Sequence, residues 1–580
     1  MGWLAFRLCA RKFLHLARGG GGTGGGGGCR TYHCGVTGPE RIHDSAGAPN
    51  APPGRASWRP SPEPTGSRLD DWWQRQSYGV QRAVSRGVPA AIVGIAALTR
   101  LAGLGHPGSL VFDETFYVKD AWTLANLGFE ASWPAGSDPL FNAGQTDGYK
   151  TDPSFVVHPP LGKWLIALGM MAFGPANPVG WRIATAIVGI LAVVLLMLVA
   201  KRLLGSTVLA SVAGLLMAID GNAIVMSRVA LLDNFVMFFA LLGFGAVLLD
   251  RDHSRARLDG WLRQREQNDR STDWGPALWW RPWLLAAGIA FGAASAVKWS
   301  GLYFLAAFAI YSLVVDAVAR RRAGIPLWIS GTVLKQTIPT FLIMVPVAIG
   351  VYLTTWTGWF ITSGGYARQW ASEGSNAWTG PFAWVPHTLQ SLWHFEVAVY
   401  NYHLGENRPH PYQANPLTWL LLIRPTSMYY RGFGAGDSGC VSNCGESITG
   451  IANPVIWWAA TAATLFLVYR FVRQREWRVG LILTGVAAGY LPWLLYSNRT
   501  VFQFYTIAFE PYLLLALTFV IGLILGSAGD ARWRRVSGLR TVSIFLALAV
   551  VVSIYFWPLW SGTRIDYELL ASHWWLPTWH

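Results

Sequence analysis

Asp113 and Glu114 stand side by side in "GSLVFDETFYVKDAW", in a chain with only 31 acidic residues among 580. Adjacent carboxylates flanked by the apolar and aromatic "LVF" and "TFYV" suit general-base work, because partial desolvation raises the basicity of a carboxylate. The plain alternative is a solvated acidic loop. Downstream, "HPPLGK" sets His158 and Lys163 on either side of a Pro-Pro turn. Pro suits a first helical turn, so this is also a helix start. A His and a Lys facing two carboxylates would equally suit a phosphate-bearing ligand. Other ionisable residues lie at the ends of apolar runs: Arg182 in "GWRIAT", Arg228 and Asp233 in "MSRVALLDNF", Lys298 in "AVKWSGL" and Arg499 in "SNRTVFQFY". Such groups at a membrane rim are costly and usually paired, so each is a functional candidate. Arg228 and Asp233 are also placed to satisfy one another. In "HLGENRPHPYQANPLTW", His403, Glu406 and His410 are of metal-ligand type, but their spacing fits no HExxH helix and Pro409 and Pro411 interrupt it. A substrate-shaping loop is expected there instead.

The elements that must position these residues are membrane spans. The chain is 52% hydrophobic and only 13% charged, far below the quarter or so typical of soluble proteins. Its 32 Trp exceed the needs of a soluble core and match interfacial anchoring. The net charge of +15 sits in short Arg clusters between apolar runs, without any nucleic-acid motif, so no nucleic-acid partner is expected. Apolar runs long enough to cross a bilayer are read at about 87–104, 180–200, 206–222, 233–250, 282–297, 301–318, 326–353, 454–471, 479–496, 505–527 and 541–558. Eleven spans put the two ends on opposite sides. With the N-terminus in the cytoplasm, the basic clusters all fall inside: Lys201 and Arg202, the Arg between 251 and 281, Arg320 to Arg322, and the Arg groups at 470–478 and 532–540.

Two long segments, about 105–179 and 354–453, are then external, and long segments of this kind are commonly functional. Asp113 and Glu114 come to lie just outside the first span. The other candidates fall at external span ends, and "LGKWLIALGMMAFG" reads as an interfacial helix. Residues 1–80, with "GGGGTGGGGG" and a Pro/Ser/Arg-rich stretch, are expected to be disordered. The basic start "MGWLAFRLCARKFLHLARG" is either non-functional or a surface-lying anchor, not a secretory signal. The catalytic region is read as 81–558, and 559–580 as an external tail. Cys440 and Cys444 are placed to close a small disulfide in an oxidising compartment.

The motifs "FDETFYVKDAW", "HPPLGK", "SRVALLDNF", "VKWSGL", "HPYQANPLTW" and "WPLWSGTRIDYELLASHWW", in this order, resemble those of the protein O-mannosyltransferases, most closely the actinobacterial branch. The resemblance covers about 80–580. It implies an all-α, polytopic GT-C glycosyltransferase with about eleven spans in a bacterial cytoplasmic membrane. The implied reaction takes mannose from polyprenyl-phosphate mannose, with inversion, to Ser or Thr hydroxyls of secreted proteins at the external face. It places the Asp113–Glu114 pair at the catalytic centre and gives weight to Arg182. Segment 354–453 is too short and Trp-rich for the β-trefoil of eukaryotic members. On this reading Asp113 is the base and Glu114 orients the acceptor or Asp113 itself, while Arg182, Lys298 and Arg499, with His158, hold the phosphate. Which carboxylate takes the proton stays open. No cofactor or metal is expected, because Arg and Lys supply the positive charge. Expected partners are the lipid donor, unfolded or translocating Ser/Thr-rich secreted proteins, and the secretion translocon that delivers them.

Two rival readings remain. A polyprenyl-phosphate glycosyltransferase acting on a lipid or polysaccharide would differ only in its acceptor. A transporter would show midplane charges and an internal repeat of interrupted helices, and neither is visible in the sequence.

Overall fold

The computed structural model describes residues 65–437 and 439–580, so the glycine run and the basic start lie outside the described residues. From 65 to 80, where disorder is expected, the chain is largely helical. Ser67 and Asp70 form a capping box on the helix Arg68–Arg75. Asp70 and Asp71 pair with Arg535 and Arg532, which fasten this helix to the start of the last span.

Each of the eleven expected spans coincides with a helix. Among the described residues, seven helices are long and apolar enough to cross a membrane, and a bent pair makes an eighth. Pro282–Val297, Trp477–Leu494 and Glu510–Leu525 occupy the other three positions. Helix starts follow local chemistry. Asn177 and Asn453 each accept hydrogen bonds from the first turn of a helix that opens on Pro.

The bent pair, Thr207–Ile219 and Gly221–Arg228, turns by 59° where a straight span is expected. Asp220 explains the break. Its carboxylate accepts from the Asn222 and Ala223 amides and so caps the second helix. A second difference is that helix Asp233–Gln267 runs far past its apolar part through a stretch read as a basic loop. That stretch is rich in Arg, Leu and Gln and contains no Pro, which favours continued helix. The same helix is the most buried of the seven long helices, packed against 178–204, 282–297 and 301–322. Gly288 and Gly292 let Pro282–Val297 approach Trp328–Thr355 closely: a Cβ on Gly292 would lie 2.7 Å from the Ala348 Cα.

The fold is helical, with one element that the all-α expectation lacks. Strands β1 (Thr426–Phe433), β2 (Cys444–Gly450) and β3 (Ile565–Asp566) form an antiparallel sheet in that order. The Cys440–Cys444 disulfide closes the loop that enters β2. The C-terminal segment, expected as a tail, is docked. β3 pairs with β2, Trp579 donates to the Leu422 carbonyl at 2.6 Å, and Arg424 donates to Thr578 and His580 carbonyls.

Candidate active site

Asp113 is presented by a short loop after the first span, and two arginines hold that loop. Arg228, the last residue of Gly221–Arg228, donates to the carbonyls of Thr99, Arg100, Ala102 and Gly103 at 2.7–3.4 Å. These are carbonyls that the end of the first helix leaves without intrahelical partners. Arg182 takes the next stretch, donating to Leu104, Pro107 and Ser109 carbonyls at 3.3, 2.8 and 3.0 Å. Its remaining donors form a forked pair with Glu114, both contacts at 2.7 Å. Glu114 also accepts from the amides of Val111 at 3.0 Å and Ala230 at 2.8 Å. Arg182 and Glu114 are both fully buried.

These contacts change two expectations. All five N–H groups of Arg182 are engaged, which leaves none for a phosphate, and Glu114 is sealed away from any acceptor. Both are anchors of the loop. Arg228 and Asp233 do not pair either, because Arg228 serves the helix end and Asp233 pairs with Lys298, Nζ to Oδ2 at 2.8 Å.

The neighbouring carboxylate has a different setting. Asp113 is half-buried, and its side chain has no hydrogen-bond or ion-pair partner among the described residues. Phe112, just before it, has φ +47°, a left-handed conformation that an aromatic residue rarely adopts. The ring is held edge-on by His410, Phe502 and Phe504 at 6.0, 5.6 and 5.7 Å. Burial pushes the Asp113 carboxyl up to about 6, and the charges of Lys298, which lowers it, and Asp233, which raises it, also act on it.

Lys298 follows directly on Pro282–Val297, and its Nζ lies 4.7 Å from the centre of the Tyr505 ring. It lines an open-mouthed cavity of about 100 Å³ together with Arg499, His158, His403, Tyr303 and Tyr496. Burial lowers the pKa of both imidazoles, His158 well below its ordinary value and His403 to about 4. The cavity's positive charge at neutral pH therefore comes from Lys298 and Arg499, and His158 offers at most a neutral hydrogen bond. Lys163 does not face the cavity. It pairs with Glu130 and donates to the His158 carbonyl at 3.0 Å, so it fixes the turn rather than a ligand. His410 is also outside the cavity lining, as part of the aromatic wall beside Phe112.

The structure thus brings together Lys298, Arg499 and His158, places Asp113 in the field of Lys298, and diverts Glu114, Arg182, Arg228 and Lys163 to internal contacts. Sequence reasoning passed over His403, weighing it only as a metal ligand. Its partners, Val157 and Arg499, are 246 and 96 residues away and leave no local signal. Among the described residues, no three His, Cys, Asp or Glu side chains gather as a metal site.

Two family profiles match the chain. One is described as dolichyl-phosphate-mannose-protein mannosyltransferase, over residues 90–362, and the other as the C-terminal four TMM region of protein-O-mannosyltransferase, over 388–579. A polyprenol-phosphate-mannose–protein mannosyltransferase of Mycolicibacterium smegmatis (strain MKD8) is 33% identical over 86% of this chain and 94% of its own length. Its namesake from Mycobacterium tuberculosis (strain CDC 1551 / Oshkosh) is 31% identical over 85% and 91%. Among solved structures, the S. cerevisiae protein O-mannosyltransferase Pmt1-Pmt2 complex bound to the sugar donor aligns with TM-score 0.64 at 15% identity, covering 90% of this chain and 97% of that one.

Proposed function

The chain belongs to the protein O-mannosyltransferase family, and from that premise we propose that Asp113 is the general base of an inverting transfer in which Lys298 and Arg499 hold the donor phosphate. The protein is a multi-span GT-C mannosyltransferase that uses polyprenyl-phosphate mannose as donor and protein as acceptor. One observation carries the assignment of roles: a half-buried carboxylate without a hydrogen-bond or ion-pair partner among the described residues lies in the field of a cavity whose two charged side chains are cations.

In the proposed reaction, a Ser or Thr hydroxyl of the acceptor attacks the anomeric carbon opposite the phosphate. The new C–O bond forms as the bond to the phosphate oxygen breaks, and the hydroxyl proton passes to Asp113. A hydroxyl is a weak nucleophile until a positioned base takes its proton, and a carboxyl near 6 is a stronger base than an ordinary one while still ionised at neutral pH. The polyprenyl phosphate leaves with added negative charge. Lys298, held by Asp233, and Arg499 meet that charge in a site where water is partly excluded, which strengthens the interaction. No metal enters this scheme, and we expect full activity in excess chelator. Loss of transfer that a divalent ion restores would move the charge-stabilising role to a metal.

We place the cavity on the external face of the cytoplasmic membrane. The Cys440–Cys444 disulfide supports this, because such bonds persist in oxidising compartments. Arg320 to Arg322 and Lys201 with Arg202, at the opposite helix ends, support it as well. An external site meets secreted chains while they are unfolded, delivered by the secretion translocon.

The test is an assay of purified protein with radiolabelled polyprenyl-phosphate mannose and a Thr-rich peptide. Mannosyl-peptide is the expected product, with label on a lipid or polysaccharide acceptor alone being the contrary result. The pH profile has a required sign. Asp113 acts when ionised, so kcat/KM should be level above about 6 and fall as pH drops through that value. A profile that stays level down to about 4, where an unperturbed carboxylate titrates, would sink the assignment of Asp113.

A further inference from the structure

Arg499 enters the cavity from the segment that follows helix Trp477–Leu494, not from a helix, so its guanidinium needs outside support. His403 supplies it. Arg499 Nη2 donates to His403 Nδ1 at 2.9 Å, and the Arg499 Nε is buried without a partner among the described residues, the kind of donor that a ligand oxygen completes. The other imidazole nitrogen, Nε2, lies 2.9 Å from the Val157 carbonyl. A carbonyl only accepts, so Nε2 carries the proton and Nδ1 keeps its lone pair for the guanidinium. The ring plane is also set, by stacking on His158 at 5.5 Å and by the edge of Trp299 at 6.0 Å. With both nitrogens engaged, the imidazole has nothing left to offer a substrate directly.

We propose that His403 is a positioning residue: its neutral imidazole aims Arg499 at the donor phosphate and ties the arginine-bearing segment to the His158 turn. This rests on the phosphate reading of the cavity. His403 is on the last turn of helix His387–Gly405, and Val157 immediately precedes the His-Pro-Pro turn, so one ring joins three separate parts of the chain.

Three substitutions separate the two functions of the ring. His403→Asn keeps an acceptor near the Nδ1 position, His403→Gln keeps a donor near Nε2 but loses that acceptor, and His403→Leu loses both. Each full-length variant is assayed for donor kcat/KM, for inhibition by polyprenyl phosphate, which has the phosphate but no sugar, and for thermal midpoint. Removing a hydrogen bond to a charged group should lower kcat/KM and weaken inhibition on the order of tenfold in His403→Gln and His403→Leu. His403→Asn should recover most of both. In an Arg499→Ala background, His403→Leu should add nothing further, because the imidazole acts through the guanidinium. Equal losses with and without Arg499 would overturn the proposal, as would a lowered midpoint with unchanged kinetics and inhibition. If Arg499→Ala itself leaves inhibition by polyprenyl phosphate unchanged, the phosphate reading fails and the inference with it. If Arg499→Ala weakens inhibition but none of the His403 variants does, the inference alone fails.

Discussion

Asp113→Asn is expected to lower mannosyl transfer by about 10² to 10⁴-fold, the range that a positioned general base contributes, while leaving the thermal midpoint where it is. The two halves of this prediction have separate grounds. The Asp113 side chain has no hydrogen-bond or ion-pair partner among the described residues, so an isosteric amide breaks no internal contact. An amide cannot accept the hydroxyl proton, so the chemical step loses its base. Asp113→Glu keeps the base but moves it by a methylene, and a displacement of about 1 Å can still cost roughly 10²-fold. The measurement is transfer from labelled polyprenyl-phosphate mannose to a Thr peptide, alongside a melting curve. Near-normal transfer by Asp113→Asn would show that another group takes the proton.

Glu114→Ala, one residue along, is expected to act on stability first. It leaves the Arg182 guanidinium buried without its counter-charge and strips the Val111 and Ala230 amides of their acceptor. Breaking a buried pair from one side costs about 3–5 kcal/mol, enough to bring a marked fall in thermal midpoint. Activity should fall as well, because the loop that presents Asp113 loses its knot. Replacing both partners, Glu114→Gln with Arg182→Met, should recover part of the stability, since no uncompensated charge remains. A Glu114→Ala variant with an unchanged melting curve and lost transfer would return Glu114 to the acceptor's side of the reaction. On the expected outcome, adjacent acids in one sequence motif differ in kind: activity is lost without unfolding at Asp113 and through it at Glu114.

What the sequence made legible follows from what is local in it. The spans could be read because about twenty apolar residues announce themselves by composition, and Asp113 because its neighbours are apolar. Partners were harder. Arg182 and Glu114 are 68 residues apart, and Lys298 and Asp233 are 65 apart. The sequence shows four costly charges but not their pairing, which is why Arg182 reads as a phosphate ligand until its five donors are accounted for. The bend at Asp220 was written in an Asp-Gly step, but an apolar run on both sides masks it. The sheet was missed for the opposite reason. "CGESITG" is short, glycine-bearing and without apolar alternation, so β2 has no strand period to detect. Its pairing with β1 along its whole length, and with β3 at its start, makes it a strand.

The two arginine straps on the loop after the first span bear on how the enzyme meets its surroundings. Helix Tyr78–Leu101 lies largely outside the packed core, on the side that the lipid reaches. Its final carbonyls and the loop beyond are nevertheless fastened to Arg228 and Arg182, whose own helices belong to the interior. Asp113 is thereby referenced to the bundle and not to the headgroups. The geometry of proton transfer is therefore set by the packed interior and not by the lipid around the first span.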